Sequence, residues 1–520
     1  MHRAGCSALG KCPVPPEVTL VSTHGRMSYL LSAVLALTLL APTTGAADVS
    51  ISQAGMSHAD GQIGPTLPDH ATHAPPTMFS SGSTVLNWET GAGRSYIIPM
   101  GEILAYIFLL NRYDREFVDP KPVYRTDGNT IWQQLTDSKW VLDNDQFSVN
   151  QFLHPYGGSV YYGLARSAGL NFWESLLYSS AGSFFWEIAG ETSPPSINDM
   201  IATPIGGSLL GEPLFRMASL LLETNEGRPG FWRALGATVL SPPTGFNRLI
   251  FGDRFDTVFP SRQPATFLRL RLGGIVSTSS HHVPSGVREH GGIGDVTFTY
   301  GLPGKPGYRY TRPFDYFDFH ITAVTTNTLE SINTRGLLIG TSYAFGESTR
   351  GAWGLFGSYD YISPQVFRVS SVALSLGTVW QSWLSPSIAL QGVVLAGSGY
   401  GAAGSIQRTE ERDYHYGTTG QGLLALRLIV GNHAMLDFTG REYYTSGLFS
   451  AEPHGQENIL RGETSLTFRI VGPHGVSLRY AVSHRDARYP NVEFRDQTVE
   501  TISLLYVFLG KTGFGAVEWR

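Results

Sequence analysis

The feature that most constrains the fold is an alternation of apolar and polar residues that recurs through the second half of the chain. In one such segment Val476, Leu478 and Tyr480 alternate with Ser477 and Arg479. Successive side chains of a β-strand point to opposite faces of its sheet, so this pattern predicts strands with one apolar and one polar face. We count about twelve such segments after residue 265, centred near residues 270, 297, 318, 340, 356, 372, 392, 425, 438, 466, 479 and 504.

Strands of roughly ten residues, even in number and polar on one face only, are typical of outer-membrane β-barrels. Only 15% of the residues are charged and 60 are glycines, which suits a membrane-embedded β protein better than a soluble helical enzyme. A large soluble β-sandwich or an open sheet is the alternative, but arginine and aspartate on the second face favour a wet lumen. We predict an α+β, mainly β, fold in which about three to five helices precede a roughly twelve-stranded antiparallel outer-membrane β-barrel.

The start of the chain predicts export. Arg26 precedes an apolar run at residues 29–40, and small residues follow this run before Asp48. The run is too short to cross a bilayer as a helix. It is typical of a signal peptide, here residues 1–47, with Met27 as an alternative start.

The placement of cysteine agrees with this prediction. Cys6 and Cys12 both lie before the apolar run, so the mature chain would contain no cysteine and would depend on packing and sheet closure rather than on disulfides. The predicted segments are a signal peptide (1–47), a disordered leader (48–82), a helical domain (83–245), a transmembrane barrel (260–510) and a short tail (511–520).

Residues 150–216 place single polar groups inside apolar helical runs that are rich in small residues, which is a costly way to build a simple core. We predict helices at residues 151–168, 171–189 and 196–222. Asn171 and Glu174 have the spacing of a capping box, and Ser196 is a second N-cap residue. Small residues on the second and third helices predict that these two helices pack closely against each other.

This stretch resembles the bacterial domain-of-unknown-function family 3943. The resemblance rests on the order and spacing of HPYGG (154–158), ARS (165–167), WES (173–175), GS…WE…GE (182–191), PSIND (195–199) and GG…GE…R (206–216). It implies an exported, outer-membrane-associated protein, and it implies no catalytic residues.

Four residues of this stretch are candidate catalytic groups, namely His154, Glu187, Glu191 and Asp199. Glu187 and Glu191 lie one helical turn apart, where two ionised carboxylates repel each other unless a proton, an arginine or a cation intervenes. His154 with one carboxylate suits general acid–base catalysis. The chain has no HExxH, GxSxG or paired ExxH motif, so we predict no metal. The alternative is a metal site formed by His154, Glu187 and Glu191, which Asp199 could join as a further oxygen ligand.

The alternative to a catalytic site is a structural network in which buried carboxylates and arginines satisfy one another. Glu212 and Arg216, for example, have the spacing and order of an ordinary i,i+4 ion pair. The residues that we assign to a binding or structural network are Tyr156, Arg166, Glu174, Trp186, Ser196, Asn198, Glu212 and Arg216.

The net charge of −5 gives no basic field for nucleic acid. We predict a protein of the Gram-negative outer membrane whose helical domain faces the periplasm or lies inside the barrel. Its predicted role is to bind envelope lipid or a partner protein. The alternative is an interfacial hydrolase or acyltransferase that acts on envelope lipid through His154 with Glu187, Glu191 or Asp199. The sequence leaves open whether the protein is an enzyme, and it names no cofactor.

Overall fold

The computed structural model describes residues 85–118, 122–143, 145–224, 228–280, 287–326, 328–364, 367–404, 414–447, 455–489, 492–510 and 514–519. The predicted signal peptide, both cysteines and the predicted leader lie outside these residues.

Helices make up most of the described chain before residue 252. Those of nine residues or more are α1 (Ile97–Tyr113), α2 (Gly128–Thr136), α3 (His154–Ser167), α4 (Phe172–Ala189), α5 (Gly207–Leu222), α6 (Phe231–Leu240) and α7 (Pro242–Phe251). This exceeds the predicted number, partly because the Ser-Pro-Pro sequence begins α7, and proline is well tolerated in a first helical turn. Among the described helices, none has the length and apolar character needed to cross a membrane.

Helix α4 begins where its capping box predicts. The side-chain oxygen of Asn171 accepts hydrogen bonds from the amides of Trp173 and Glu174 at 2.9 and 3.0 Å. The Glu174 carboxylate accepts one from the Asn171 amide at 2.8 Å. These bonds satisfy amides that the first turn of a helix leaves free, so the sequence prediction of this helix start is confirmed.

The third predicted helix is interrupted. Ser196 Oγ accepts a hydrogen bond from the Asp199 amide at 3.2 Å, and the first helical turn therefore begins at Asp199. A π-helical segment, Ala202–Gly206, then precedes α5. A second π-helical segment, Val149–Leu153, leads directly into α3. Such segments are frequent at functional sites.

Twelve antiparallel strands form a closed barrel in which β1 pairs with β12, as the sequence predicted. Each of the other strands pairs with its neighbours in the chain. The strands are β1 (Thr266–Ser280), β2 (Val287–Tyr300), β3 (Phe317–Val324), β4 (Ser331–Phe345), β5 (Thr349–Ile362), β6 (Arg368–Ser385), β7 (Ile388–Gly404), β8 (His415–Val430), β9 (Ala434–Ser446), β10 (Gln456–Val471), β11 (His474–Tyr489) and β12 (Val492–Leu509).

The two faces of the barrel wall have opposite chemistry. Arg441 of β9 donates to the side-chain oxygen of Asn333 in β4 at 3.0 Å, and a bond between such distant strands identifies the inward face. The outward face carries apolar side chains, of which Leu376, Leu478 and Leu504 are more than half exposed. An apolar exterior around a polar interior is the architecture of an outer-membrane barrel.

Inside the barrel, side chains and the chain terminus fill much of the space. Arg271 pairs with Asp295 at 2.7 Å. The predicted tail turns into the lumen, where the carbonyl of Val517 accepts hydrogen bonds from Gln381 and Trp383 at 2.8 and 3.1 Å. One lumen cavity, whose lining includes Arg269, Asp318 and His320, has a volume of about 120 Å³. These contacts narrow the open space in the described part of the lumen.

The helical domain packs against the outer wall of the barrel. Thr334 follows the inward-facing Asn333 and therefore points outward, and it donates to the backbone carbonyl of Leu209 in α5 at 3.1 Å. Tyr359, which pairs with Thr334 in the sheet, donates to the carbonyl of Gln151 at 2.5 Å. The predicted alternative in which the helices lie inside the barrel is therefore wrong, because the wall residues that contact them face away from the lumen.

Helix α3 is the centre of the helical domain. A Cβ atom on Gly207 would lie 2.6 Å from Cα of Gly158, so the backbones of α3 and α5 touch there. On the other side of α3, Ser179 Oγ of α4 donates to the Gly158 carbonyl at 2.9 Å. The small residues of α4 and α5 thus pack mainly against α3. The predicted direct packing of the second and third predicted helices is confined to contacts such as that of Ser183 Oγ, which donates to the Asp199 carbonyl at 3.2 Å.

Candidate functional site

The first polar group of the helical domain is a buried network around Glu212. Arg166 and Arg216 approach the two carboxylate oxygens at 2.8 and 2.7 Å, and Tyr162 donates to the same carboxylate at 2.7 Å. Arg216 also pairs with Asp315 in the β2–β3 loop at 3.0 Å. This network joins α3 and α5 to one rim of the barrel.

Two arginines balance the charge of Glu212. Burial alone would raise its pKa, but Arg166 and Arg216 outweigh burial and hold the pKa of this carboxyl below its usual value. Each oxygen of Glu212 is hydrogen bonded within the protein, so neither oxygen is available to act on a substrate. We therefore assign Arg166, Glu212 and Arg216 to structure, as the ion-pair alternative predicted.

A second polar group lies at the junction of the helical domain and the barrel wall. Asn150 donates to the hydroxyls of Tyr414 and Tyr416 at 2.9 and 3.0 Å. Asn198 donates to the Tyr416 hydroxyl at 2.8 Å and to Asp199 at 3.1 Å. Tyr416 therefore connects the outer wall of β8 to the carboxylate of Asp199.

His154, Glu187 and Asp199 meet next to this junction. Each offers one ligand atom, and the three atoms lie within 4.8 Å of one another. His154 Nδ1 is 3.9 Å from Asp199 Oδ1 and 3.3 Å from Thr203 Oγ1. The two π-helical segments set these positions, since one ends directly before His154 and the other contains Thr203.

Glu187 is almost completely buried, with 1% of its surface exposed. Its Oε2 accepts a hydrogen bond from the Ser196 amide at 2.7 Å, whereas Oε1 has no hydrogen-bond partner among the described residues. Burial, together with the charges of Asp199 and Glu191, raises the pKa of Glu187 to about 9. This carboxyl therefore keeps its proton at neutral pH unless a cation takes the place of that proton.

Glu191 does not occupy the predicted position. Helix α4 ends at Ala189, so Glu191 lies beyond its last turn and does not continue the helical face of Glu187. Burial raises the pKa of Glu191 to about 7, and His154 opposes this shift. The cluster of three ligand atoms contains Asp199 in place of Glu191. The direct partner of Glu187 in this site is therefore Asp199.

The other predicted network residues have structural contacts. Glu174 caps α4 and also accepts a hydrogen bond from Tyr96 at 2.9 Å. Trp186 belongs to an apolar cluster with Ile103 and Tyr161. The ring of Tyr156 lies 6.2 Å from that of Phe152.

Sequence reasoning missed three residues of the junction, namely Asn150, Thr203 and Tyr416. Asn150 and Thr203 lie inside the stretch that predicted the site, but neither belongs to a recognised motif. Tyr416 lies 266 residues after Asn150, and no local pattern indicates that they meet. An outward tyrosine near the end of a strand resembles an ordinary membrane-interface residue.

Comparison with known proteins supports the resemblance. Residues 139–243 match a family model described as a domain of unknown function (DUF3943), so the predicted family resemblance is confirmed over this stretch. Every site residue that we predicted from the sequence lies inside this range. No curated protein sequence matches the chain.

Three solved structures are among those similar to this chain. The NanC porin is 7% identical, with 46% of this chain and 98% of the porin covered and a TM-score of 0.25. An outer membrane channel from Pseudomonas putida F1 is 9% identical, with 49% and 100% covered and a TM-score of 0.26. The translocator domain of the autotransporter NalP from Neisseria meningitidis is 13% identical, with 46% and 88% covered and a TM-score of 0.23. At these values the barrel assignment rests on the strand pairing of this chain itself.

Proposed function

We propose that this outer-membrane β-barrel protein binds membrane lipid through its helical domain, which lies in the bilayer beside the barrel. The observation that carries this proposal is the extent of contact along the outer wall. Arg216 contacts Asp315, which lies two residues before β3 at one rim. Asn150 contacts Tyr416, which lies at the start of β8 and therefore at the opposite rim. A domain that reaches both rims of a membrane-spanning wall lies at the same depth as the bilayer.

The exposed surface of the helical domain supports this placement. It is rich in large apolar side chains, whereas a surface in water would carry mostly polar ones. Leu249 is 81% exposed and Ile97 is 85% exposed. We call this set of residues the apolar helical surface: Ile97, Leu104, Phe108, Leu109, Trp173, Leu177, Phe231, Trp232, Phe246, Leu249 and Ile250.

This surface adjoins the apolar exterior of the barrel. Val372 of β6 is buried beside the helical domain, where a Cβ on Gly206 would approach it at 3.2 Å. Further along the same strand and on the same face, Leu374 and Leu376 are exposed. Lipid chains that cover Leu374 would thus reach the edge of the helical domain, which favours lipid over a protein partner as the occupant of the apolar helical surface.

The orientation in the membrane is part of this proposal. The turns after β4, β6, β8 and β10 contain only two or three residues, and they lie at the rim where β1 begins. Short turns face the periplasm in outer-membrane barrels. The rim that carries Asp315 would then be periplasmic, and the helical domain would extend from it toward the outer leaflet.

A spin label on the apolar helical surface tests the proposal. In a chain with Cys6→Ser and Cys12→Ser, we expect a nitroxide attached through Leu249→Cys to collide with oxygen more often than with a polar nickel complex in lipid vesicles. Oxygen concentrates in hydrocarbon and the nickel complex in water, so the ratio of the two collision rates reports the location of the label. The measurement is power-saturation electron paramagnetic resonance.

Two reference positions make the result decisive. Leu376→Cys on the exterior of the barrel gives the value for a label in lipid, and Glu89→Cys on an exposed polar turn gives the value for water. A value at Leu249→Cys that matches the one at Glu89→Cys would refute the membrane placement of the helical domain.

The alternative function is an interfacial hydrolase or acyltransferase. The observation in its favour is that His154 Nδ1 lies 3.9 Å from Asp199 Oδ1. A small side-chain movement would let this carboxylate orient the imidazole as a general base. In this case His154→Ala would reduce the release of fatty acid from vesicle lipid by about a hundredfold or more while the barrel stays folded. Equal release of fatty acid by the variant and by the unmodified chain would exclude this function. The absence of any fatty-acid release by the unmodified chain would exclude it too.

A further inference from the structure

The buried carboxylates of the helical domain have two different kinds of charged surroundings. Glu212 has two arginines within 2.8 Å. In contrast, no arginine or lysine of the described chain forms a salt bridge with Glu187 or Asp199, although both are 99% buried. An unpaired buried charge is strongly unfavourable, so two such carboxylates side by side stay ionised only if a positive partner joins them, and otherwise they hold a proton.

His154 cannot be that partner for both carboxylates. Its Nδ1 atom lies 3.9 Å from Asp199, beyond hydrogen-bonding distance, and it is closer to Thr203. Even a doubly protonated imidazole would carry a single positive charge. Glu187 Oε1 would still lack a partner among the described residues.

We propose that His154, Glu187 and Asp199 together bind one divalent transition-metal ion. Their ligand atoms lie within 4.8 Å of one another, close enough for a single ion to contact all three after small side-chain adjustments. The unpaired Oε1 of Glu187 is the second, independent indication of a ligand at this site. This inference does not depend on the proposed lipid function.

The donor set selects the class of metal. One imidazole nitrogen and two carboxylate oxygens suit Mn²⁺, Fe²⁺ or Zn²⁺, whereas Mg²⁺ and Ca²⁺ prefer sites made entirely of oxygen. Three protein ligands leave further coordination positions for water or for a polar group of a ligand. The site thus has the composition of a centre that binds or polarises an oxygen ligand.

Hydrogen bonds behind the ligands hold them in place. Asn198 donates to Asp199 at 3.1 Å, and the Ser196 amide donates to Glu187 at 2.7 Å. Outer contacts of this kind orient metal ligands in known sites. Since Asn198 also donates to Tyr416, the barrel wall would help to fix the ligand geometry.

Binding of Mn²⁺ to the full chain in detergent tests the proposal, because free Mn²⁺ has a six-line paramagnetic resonance signal that is lost on binding. After treatment with EDTA and dialysis, we expect one Mn²⁺ per chain, displaced by Zn²⁺ but not by an excess of Mg²⁺. Glu187→Gln and Asp199→Asn, which preserve side-chain shape, should each weaken binding by more than about tenfold. The variants must retain the gel-mobility shift between unboiled and boiled samples that reports a folded barrel.

The matched control is a second cluster of possible ligands, His484, Asp486 and Asp496, which is half exposed at one end of the barrel. Asp496→Asn should leave Mn²⁺ binding unchanged. The proposal is overturned if the unmodified chain binds no Mn²⁺. It is also overturned if folded Glu187→Gln and Asp199→Asn bind as tightly as the unmodified chain, or if Asp496→Asn removes the binding.

Discussion

Glu212→Gln is expected to lower the free energy of unfolding by about 3–5 kcal/mol, because it leaves two buried arginines without their carboxylate. Arg166 and Arg216 are at most 4% exposed, so water cannot replace the lost charge. The low pKa of Glu212 means that the carboxylate is ionised throughout the neutral range, and the loss should be the same at pH 6 and pH 8. Thermal unfolding in detergent, followed by the loss of the fast-migrating folded band, measures the effect.

An exposed ion pair provides the control for this prediction. Arg228 and Asp253 lie 2.8 Å apart, but their side chains are more than 80% exposed. Arg228→Gln should therefore leave the unfolding temperature unchanged, since solvent screens such a pair. If Glu212→Gln were as stable as Arg228→Gln, the Glu212 network could not be what holds α3 and α5 together.

The barrel could be predicted from sequence because each strand has its own local alternation of apolar and polar residues. Leu478 and Arg479 differ in polarity and are adjacent, so their opposite orientation follows from the backbone of a strand alone. The structure confirms this, with Leu478 exposed outward and Arg479 paired with Glu463 inside the barrel at 2.8 Å. Twelve such local patterns were enough for the strand number and for the assignment of the two faces.

The position of the helical domain could not be predicted in this way. It depends on contacts such as that between Asn150 and Tyr416, and no local sequence pattern indicates that these two residues meet. Apolar residues on the outer wall serve equally well for contact with lipid and for contact with helices. Tyr359 and Val372 therefore gave the same pattern as Leu374, although only the first two are covered by the helical domain.

The site was predicted in part. His154, Glu187 and Asp199 were among the candidates, and the structure brings them together. Glu191 was misplaced because an uninterrupted helix was assumed where α4 ends at Ala189. The π-helical segments, which bring Thr203 to His154, leave no clear signature in sequence because their hydrogen bonds span only one residue more than those of an α-helix.

The second large effect concerns Glu187 and pH. In the presence of EDTA we expect the stability of the protein to fall as pH rises from 5 to 8. Burial raises the pKa of Glu187 to about 9 in the folded state, with further contributions from the charges of Asp199, Glu191 and Asp143, while the Ser196 amide opposes the shift. His154 is the fifth group that faces this cluster.

The direction follows from proton linkage. The folded-state pKa of Glu187 lies above the ordinary value of about 4.3, so between these values the folded chain keeps a proton that the unfolded chain has lost. The resulting stability is fully present below the unfolded pKa and is lost as pH rises toward 9. Each pH unit in this window costs at most about 1.4 kcal/mol from this group.

Glu187→Gln should remove much of this dependence, because glutamine keeps the hydrogen bond from the Ser196 amide and cannot ionise. We expect the variant to match the unmodified chain at pH 5 and to exceed its stability by about 2 kcal/mol or more at pH 8, both in EDTA. Glu89→Gln, at an exposed position, should retain the full pH dependence. Parallel curves for Glu187→Gln and the unmodified chain would show that Glu187 does not hold the proton. Since EDTA removes any metal, that result would leave the proposed metal site to be judged by Mn²⁺ binding alone.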